Sequence, residues 1–191
     1  MNENYIILIF ISILIIFCFI NYNNTIYSKS KFDEKLYKVQ NIEKYDISAY
    51  NLSLLKQFSI DLFNLIDYND EICKTLTKRI DRAKRIIPNI PFSENTLDTD
   101  NTSYTINKGD EIVLCLRSKI SKNHHDVNIV KYILIHELAH IICPEIGHTE
   151  LFYSINKYLL KLAIEKNIYN DVNFKINPVE YCGLNLNEQL L

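Results

Sequence analysis

The residues with the most chemical capacity are His136, Glu137 and His140, set in the order His136-Glu137-Leu138-Ala139-His140. On a helix, residues four apart differ by about 40° in azimuth and about 6 Å in rise, so both imidazoles reach one metal ion from one face. Glu137 then stands beside that ion, where it can take a proton from water the ion activates. With 5 His in 191 residues, the pattern arises by chance in roughly 1% of such chains. Its neighbours are apolar, and unpaired ionisable groups are costly in such surroundings, so a Glu between two His needs a physical reason. The competing reading is a surface helix that carries the two His by coincidence.

A catalytic zinc takes three protein ligands and leaves a fourth position for water. His148 is the expected third ligand. It follows Pro144 and Gly147, a break that lets the chain reverse, and precedes Thr149, which can cap a further helix. Glu150 and Glu180 are the carboxylate alternatives. Cys143 shares the azimuth of the pair but lies about 10 Å along the axis from His136, too far for the same ion. His124 and His125 read as solvated loop residues. Tyr181 and Tyr153 are candidates to donate a hydrogen bond to the oxyanion formed during attack on a carbonyl.

The elements that must position these groups follow from periodicity. An apolar helix is expected over Val127 to Cys143, ended by Pro144, and another from Thr149 to about Lys166, with Leu151, Ile155, Leu159, Leu162 and Ala163 on its inner face. Ahead of them, Ser103 to Ile106, the turn Asn107-Lys108-Gly109-Asp110 and Glu111 to Arg117 read as a β-hairpin. Helices are also expected near 51–67 and 72–87. The second carries Lys74, Lys78, Arg82 and Arg85 along its wet face. Residues 88–102 read as acidic turns, and the tail from Asn177 as extended and loop-like.

The 191 residues leave room for one domain plus an appendage. An apolar fraction of 48% supplies a core, and a net charge of -2 excludes a chain-wide basic field of the kind that grips nucleic acid. Abundant Ile and Asn with scarce Gly resemble the usage of an A+T-rich genome. Tyr5 to Ile20 form an apolar run interrupted only by Ser12. At about 1.5 Å per residue the run spans roughly 24 Å, and it reads as an uncleaved membrane anchor. Lys29, Lys31, Lys35 and Lys38 beyond it would keep the following domain on the cytoplasmic side. The 5 Cys show no C-x-x-C pair; free thiols are expected, with two bridges among Cys73, Cys115, Cys143 and Cys182 as the alternative.

Residues 133–152, ILIHELAHIICPEIGHTELF, resemble the active segment of zincin metallopeptidases, most closely the WLM/SprT-like group. In that group the HExxH pattern is followed by a third His and then an aromatic residue, which Gly147-His148-Thr149 and Phe152 match. The resemblance covers about residues 100–185 and implies a β-hairpin just before the active helix. It departs in spacing: seven residues separate His140 from His148, where the usual WLM pattern has five. Likeness to members encoded by large DNA viruses implies a viral origin.

The expected fold class is α+β: an N-terminal transmembrane helix, then a mostly helical zincin-like domain with a small antiparallel hairpin or sheet before the active-site helix. The expected parts are an anchor at 1–22, a juxtamembrane stalk at 23–50 and the metallopeptidase domain at 51–191. The expected activity is that of a single-pass, membrane-anchored zinc peptidase with Glu137 as general base and His136, His140 and His148 as ligands. Its partner would be a polypeptide whose backbone pairs with the strand near Ile112 to Leu116, with no nucleic acid. The alternative is an inactive zincin-like scaffold, or a membrane-tethered structural or binding protein.

Overall fold

The computed structural model describes residues 3–187. Residues 1–2 and 188–191, the outer ends of the expected anchor and domain, lie outside the described residues. The helices are α1 (Glu3–Asn23), α2 (Tyr45–Asn64), α3 (Glu71–Ile86), α4 (Val127–Ile142) and α5 (Glu150–Glu165).

Helix α4 begins where the Asp126 carboxylate accepts from the Asn128 amide, a side-chain N-cap, and ends at Cys143, whose extended backbone leads into Pro144. Val130, Leu134, Ile135, Leu138, Ala139, Ile141 and Ile142 are all buried on it. A helix this apolar must be enclosed, and α2, α3 and α5 pack around it. Helix α3 shows the opposite pattern. It buries Cys73, Leu76, Ile80 and Ala83, and Asp70 caps its first turn.

Five strands form one mixed sheet: β1 (Thr25–Lys29), β2 (Leu36–Gln40), β3 (Phe92–Glu94), β4 (Tyr104–Ile106) and β5 (Glu111–Leu114), in the order β1-β2-β3-β5-β4. Strands β2, β3 and β5 run parallel, while β1 and β4 are antiparallel to their neighbours. Ile112 and Leu114 of β5 are fully buried, as a strand paired on both sides and covered by helices requires. Helix α2 packs on β1, β2 and β3, and α4 reaches β4 and β5.

Several expectations are corrected by this architecture. No helix among the described residues is long and apolar enough to cross a membrane. The apolar part of α1 is the reason: about sixteen residues reach roughly 24 Å, against a hydrocarbon core of about 30 Å. The transmembrane anchor, and with it the single-pass, cytoplasm-facing placement, is therefore overturned. The side chains from Tyr5 to Cys18 on α1 are exposed. Residues 25–40, expected as a stalk, form β1 and β2 of the sheet.

Strand β5 is not an edge, because β3 pairs on its other side. The sheet edge next to α4 is β4. The tail also folds, with β6 (Val179–Tyr181) and β7 (Leu184–Leu186) making an antiparallel hairpin. Cys115 and Cys182 are joined by a disulfide, so the expectation of free thiols holds for Cys18, Cys73 and Cys143.

Candidate metal centre and active-site cleft

His136 and His140 project from one face of α4 with ring centroids 4.9 Å apart. Beyond Cys143 the chain turns at Pro144 and at Gly147, whose φ of 81° lies in the left-handed region that favours glycine. Thr149 then accepts from the Phe152 amide at 3.3 Å and opens α5. The reversal leaves His148 Nε2 3.0 Å from His136 Nε2 and 3.2 Å from His140 Nε2. Phe152 is fully buried beneath the three rings. It stacks on His140 at 4.2 Å between centroids and meets His136 at 4.8 Å and His148 at 4.9 Å.

Whether these groups suit a metal can be tested on their geometry. Zinc takes imidazole nitrogens at about 2.0–2.1 Å in a tetrahedral set, which puts the nitrogens about 3.3 Å from one another. The two separations from His148, 3.0 and 3.2 Å, are close to that value, and the ligand atoms of all three residues lie within 4.8 Å of one another. Burial first, and the neighbouring imidazoles second, push His136 down to about 4. Burial, then His148 and Lys108, push His140 down to about 4 as well. Both rings are therefore neutral near pH 7, the state in which a nitrogen lone pair binds a cation. Among the described residues, His136, His140 and His148 form the group of His, Cys, Asp or Glu side chains able to hold a metal ion together.

Glu137 points from the same turn of α4 into a cleft of about 790 Å³. Burial raises its carboxyl to about 7, while a hydrogen bond from Thr105 opposes the rise. That bond runs from Thr105 Oγ1, on edge strand β4, to Glu137 Oε2 at 3.1 Å. Across the cleft the β6–β7 hairpin contributes Tyr181 and Leu186. The Tyr181 hydroxyl lies 2.6 Å from Ser103 Oγ, which in turn accepts from the Cys115 amide at 2.9 Å. Burial holds the Tyr181 phenol well above its ordinary pKa, so it keeps its proton.

Tyr153 is half exposed beside His148, with ring centroids 6.2 Å apart, and does not line the cleft. The carboxylate alternatives lie elsewhere: Glu150 starts α5, and Glu180 Oε1 accepts from the Gly183 amide at 2.5 Å. Cys143 is buried.

His124 and His125 are not the solvated loop residues expected from sequence. His124 Nε2 bonds Ser48 Oγ at 2.9 Å, and His125 Nε2 accepts from the Cys182 amide at 3.1 Å. The sequence reading also missed Ser103, Thr105 and Lys108. All three belong to the β4–β5 hairpin, whose residue types carry no catalytic signature, and only the pairing of β4 beside α4 brings them to the site.

The family profile of the WLM domain matches residues 102–176, which contain the three His and Glu137. The chain is 41% identical over 169 residues to an uncharacterized protein of Acanthamoeba polyphaga mimivirus, covering 86% of this chain and 84% of that one. It is 42% identical over 93 residues to an uncharacterized protein of Invertebrate iridescent virus 3, covering 49% of this chain and 57% of that one. Among solved structures it is similar to a Wss1 mutant from S. pombe, at 24% identity and a TM-score of 0.42 over 65% of this chain and 92% of that one. Wss1 from Saccharomyces cerevisiae matches at 15% identity and a TM-score of 0.37, covering 50% of this chain and 80% of that one. A motif-bearing match to the WLM domain, together with relatives in large DNA viruses, gives the assignment: the chain belongs to the WLM metallopeptidase family.

Proposed function

We propose that this chain is a zinc-dependent peptidase in which His136, His140 and His148 hold the ion and Glu137 is the general base. The observation that carries the reading is the convergence of three Nε2 atoms beside a buried carboxylate in one cleft. Zinc, when bound there, supplies a Lewis acid for the scissile carbonyl and for the attacking water. The protein's own groups do the rest. Glu137 takes the proton from the attacking water and passes it to the leaving amine, a double duty that suits a carboxyl raised to about 7.

Thr105 fixes one oxygen of that carboxylate, Oε2, at 3.1 Å. Tyr181, protonated and oriented by Ser103, is the oxyanion donor, in preference to the outlying Tyr153. The substrate is a polypeptide, and the free edge of β4 offers its backbone a partner for strand addition. The metallopeptidase unit starts at β1, because β1 and β2 complete the sheet that carries β4 and β5.

The test is Glu137→Gln assayed on unfolded polypeptide substrates. The variant should keep its metal and lose cleavage by about 10²-fold or more. A Glu137→Gln protein that cuts at the wild-type rate removes Glu137 as the base. A wild-type protein that holds metal but never turns over leaves the inactive scaffold.

A further inference from the structure

His148 is the ligand with the least local support. It follows a stretch, residues 144–147, that is exposed throughout, with Ile146 90% exposed and open space around Gly147. Within that stretch the Glu145 carboxylate accepts from Thr149 Oγ1, a local brace to the start of α5, while His148 is kept 3.0 Å and 3.2 Å from the other two nitrogens. Further support comes from outside it. The Lys108 ammonium, in the β4–β5 turn, donates to Cys143 O at 2.5 Å and to Glu145 O at 2.7 Å. These carbonyls flank Pro144, which has no N–H of its own to brace the turn.

We propose that Lys108 is a positioning residue for the metal centre: by clamping the main chain on both sides of Pro144 it fixes His148 as the third ligand. The inference rests on the metal-binding reading of the three His. Cys143 O lies at the C-terminal end of α4, where carbonyls lack intrahelical partners and the helix dipole favours a cation. A single ammonium there satisfies the C-cap carbonyl of the helix and a loop carbonyl two residues on together.

The base of Lys108 is itself held. Its backbone is left-handed, at φ 56°, and its carbonyl accepts from Arg82 Nη1 of α3 at 3.1 Å. Gly109, next to it, has a φ of 120°, and a Cβ there would come 2.8 Å from Ile86 Cδ1 of α3. The clamp therefore reaches from a turn docked on α3 to an exposed loop. From there the Glu145 carboxylate accepts from Thr149 Oγ1, so His148 sits between two anchored residues.

The experiment is a zinc-affinity cycle on the full chain, read by competition with a chelating indicator. Lys108→Asn is the first variant, since Asn tolerates left-handed backbone but is too short to reach the two carbonyls. Its affinity should fall about tenfold or more, the usual effect of losing a group that orients a ligand. In a His148→Ala background the same change should cost nothing further, because the clamp then has no ligand to place.

Equal melting of the metal-stripped proteins checks that the fold is intact. If Lys108→Asn fails that check, Lys108→Met carries the same cycle. Wild-type affinity in a folded variant, or equal losses with and without His148, overturns the proposal. A wild-type chain that binds no zinc instead overturns the metal-binding reading on which it rests.

Discussion

Arg117 Nε donates to Glu94 Oε1 at 2.9 Å, and the two side chains are only 3% and 0% exposed. Glu94 closes β3, and its second oxygen accepts from the Gln40 amide of β2 at 2.9 Å, so one buried carboxylate ties together the middle of the sheet. Breaking such a pair strands a charge in the core, at a cost of about 3–5 kcal/mol. Arg117→Met should therefore lower unfolding free energy in urea by about that amount. Adding Glu94→Gln to it should cost less than the sum of the single changes. Strict additivity would show that the two groups do not act as a pair.

His124 gives the fold a defined acid sensitivity. Burial, reinforced by Arg117 and Lys44 and opposed by Asp46, pushes it from its ordinary 6.5 down to about 4. The unfolded chain takes up this proton as pH falls through about 6.5, whereas the folded chain refuses it until about 4. Its contribution is thus intact above pH 6.5 and is lost progressively between about 6.5 and 4. Urea midpoints measured across that window should fall less steeply for His124→Gln than for wild type. Identical profiles would remove His124 as a cause.

Sequence carried the site further than the scaffold. Helices α4 and α5 were legible to within about one residue because Asp126, Pro144 and Thr149 mark their ends and their apolar spacing is strong. His136, Glu137 and His140 were legible from spacing, since four residues on a helix is a local relation, and His148 from the chain break at Pro144 and Gly147 that precedes it. What was not legible depends on partners distant in the chain. In β1, Tyr27 is exposed while Ser28 is buried, the reverse of what hydrophobicity suggests, so the strand looked like a polar linker.

Glu94 looked like part of an acidic turn because Arg117, which makes it a core residue, lies 23 positions away. The strand near Ile112 to Leu116, expected to pair with substrate, has its side away from β4 occupied by β3. Helix α2 begins at Tyr45, ahead of the expected start near 51, because Lys44 at its N-cap provides no side-chain cap to read.

The disulfide links β5 to the tail hairpin across a sequence separation of 67 residues. On the chain-entropy account a loop of that size is worth about 4 kcal/mol, with about 2–4 kcal/mol commonly realised. Cys182→Ser should lower stability by an amount in that range and loosen the hairpin that brings Tyr181 to the cleft, so cleavage should fall with it. Thiol titration of denatured, unreduced wild type should count Cys18, Cys73 and Cys143 and no others. Five reactive thiols would show that the bridge is absent in solution.

Three imidazoles, on α4 and the following loop, are proposed to hold one divalent cation. Elemental analysis of the full chain, purified without chelators, tests this most directly, with His136→Ala prepared in parallel. Close to one zinc per wild-type chain and almost none in the variant is the expected result. Wild-type protein carrying no zinc or other transition metal, or a variant carrying as much as wild type, would contradict it.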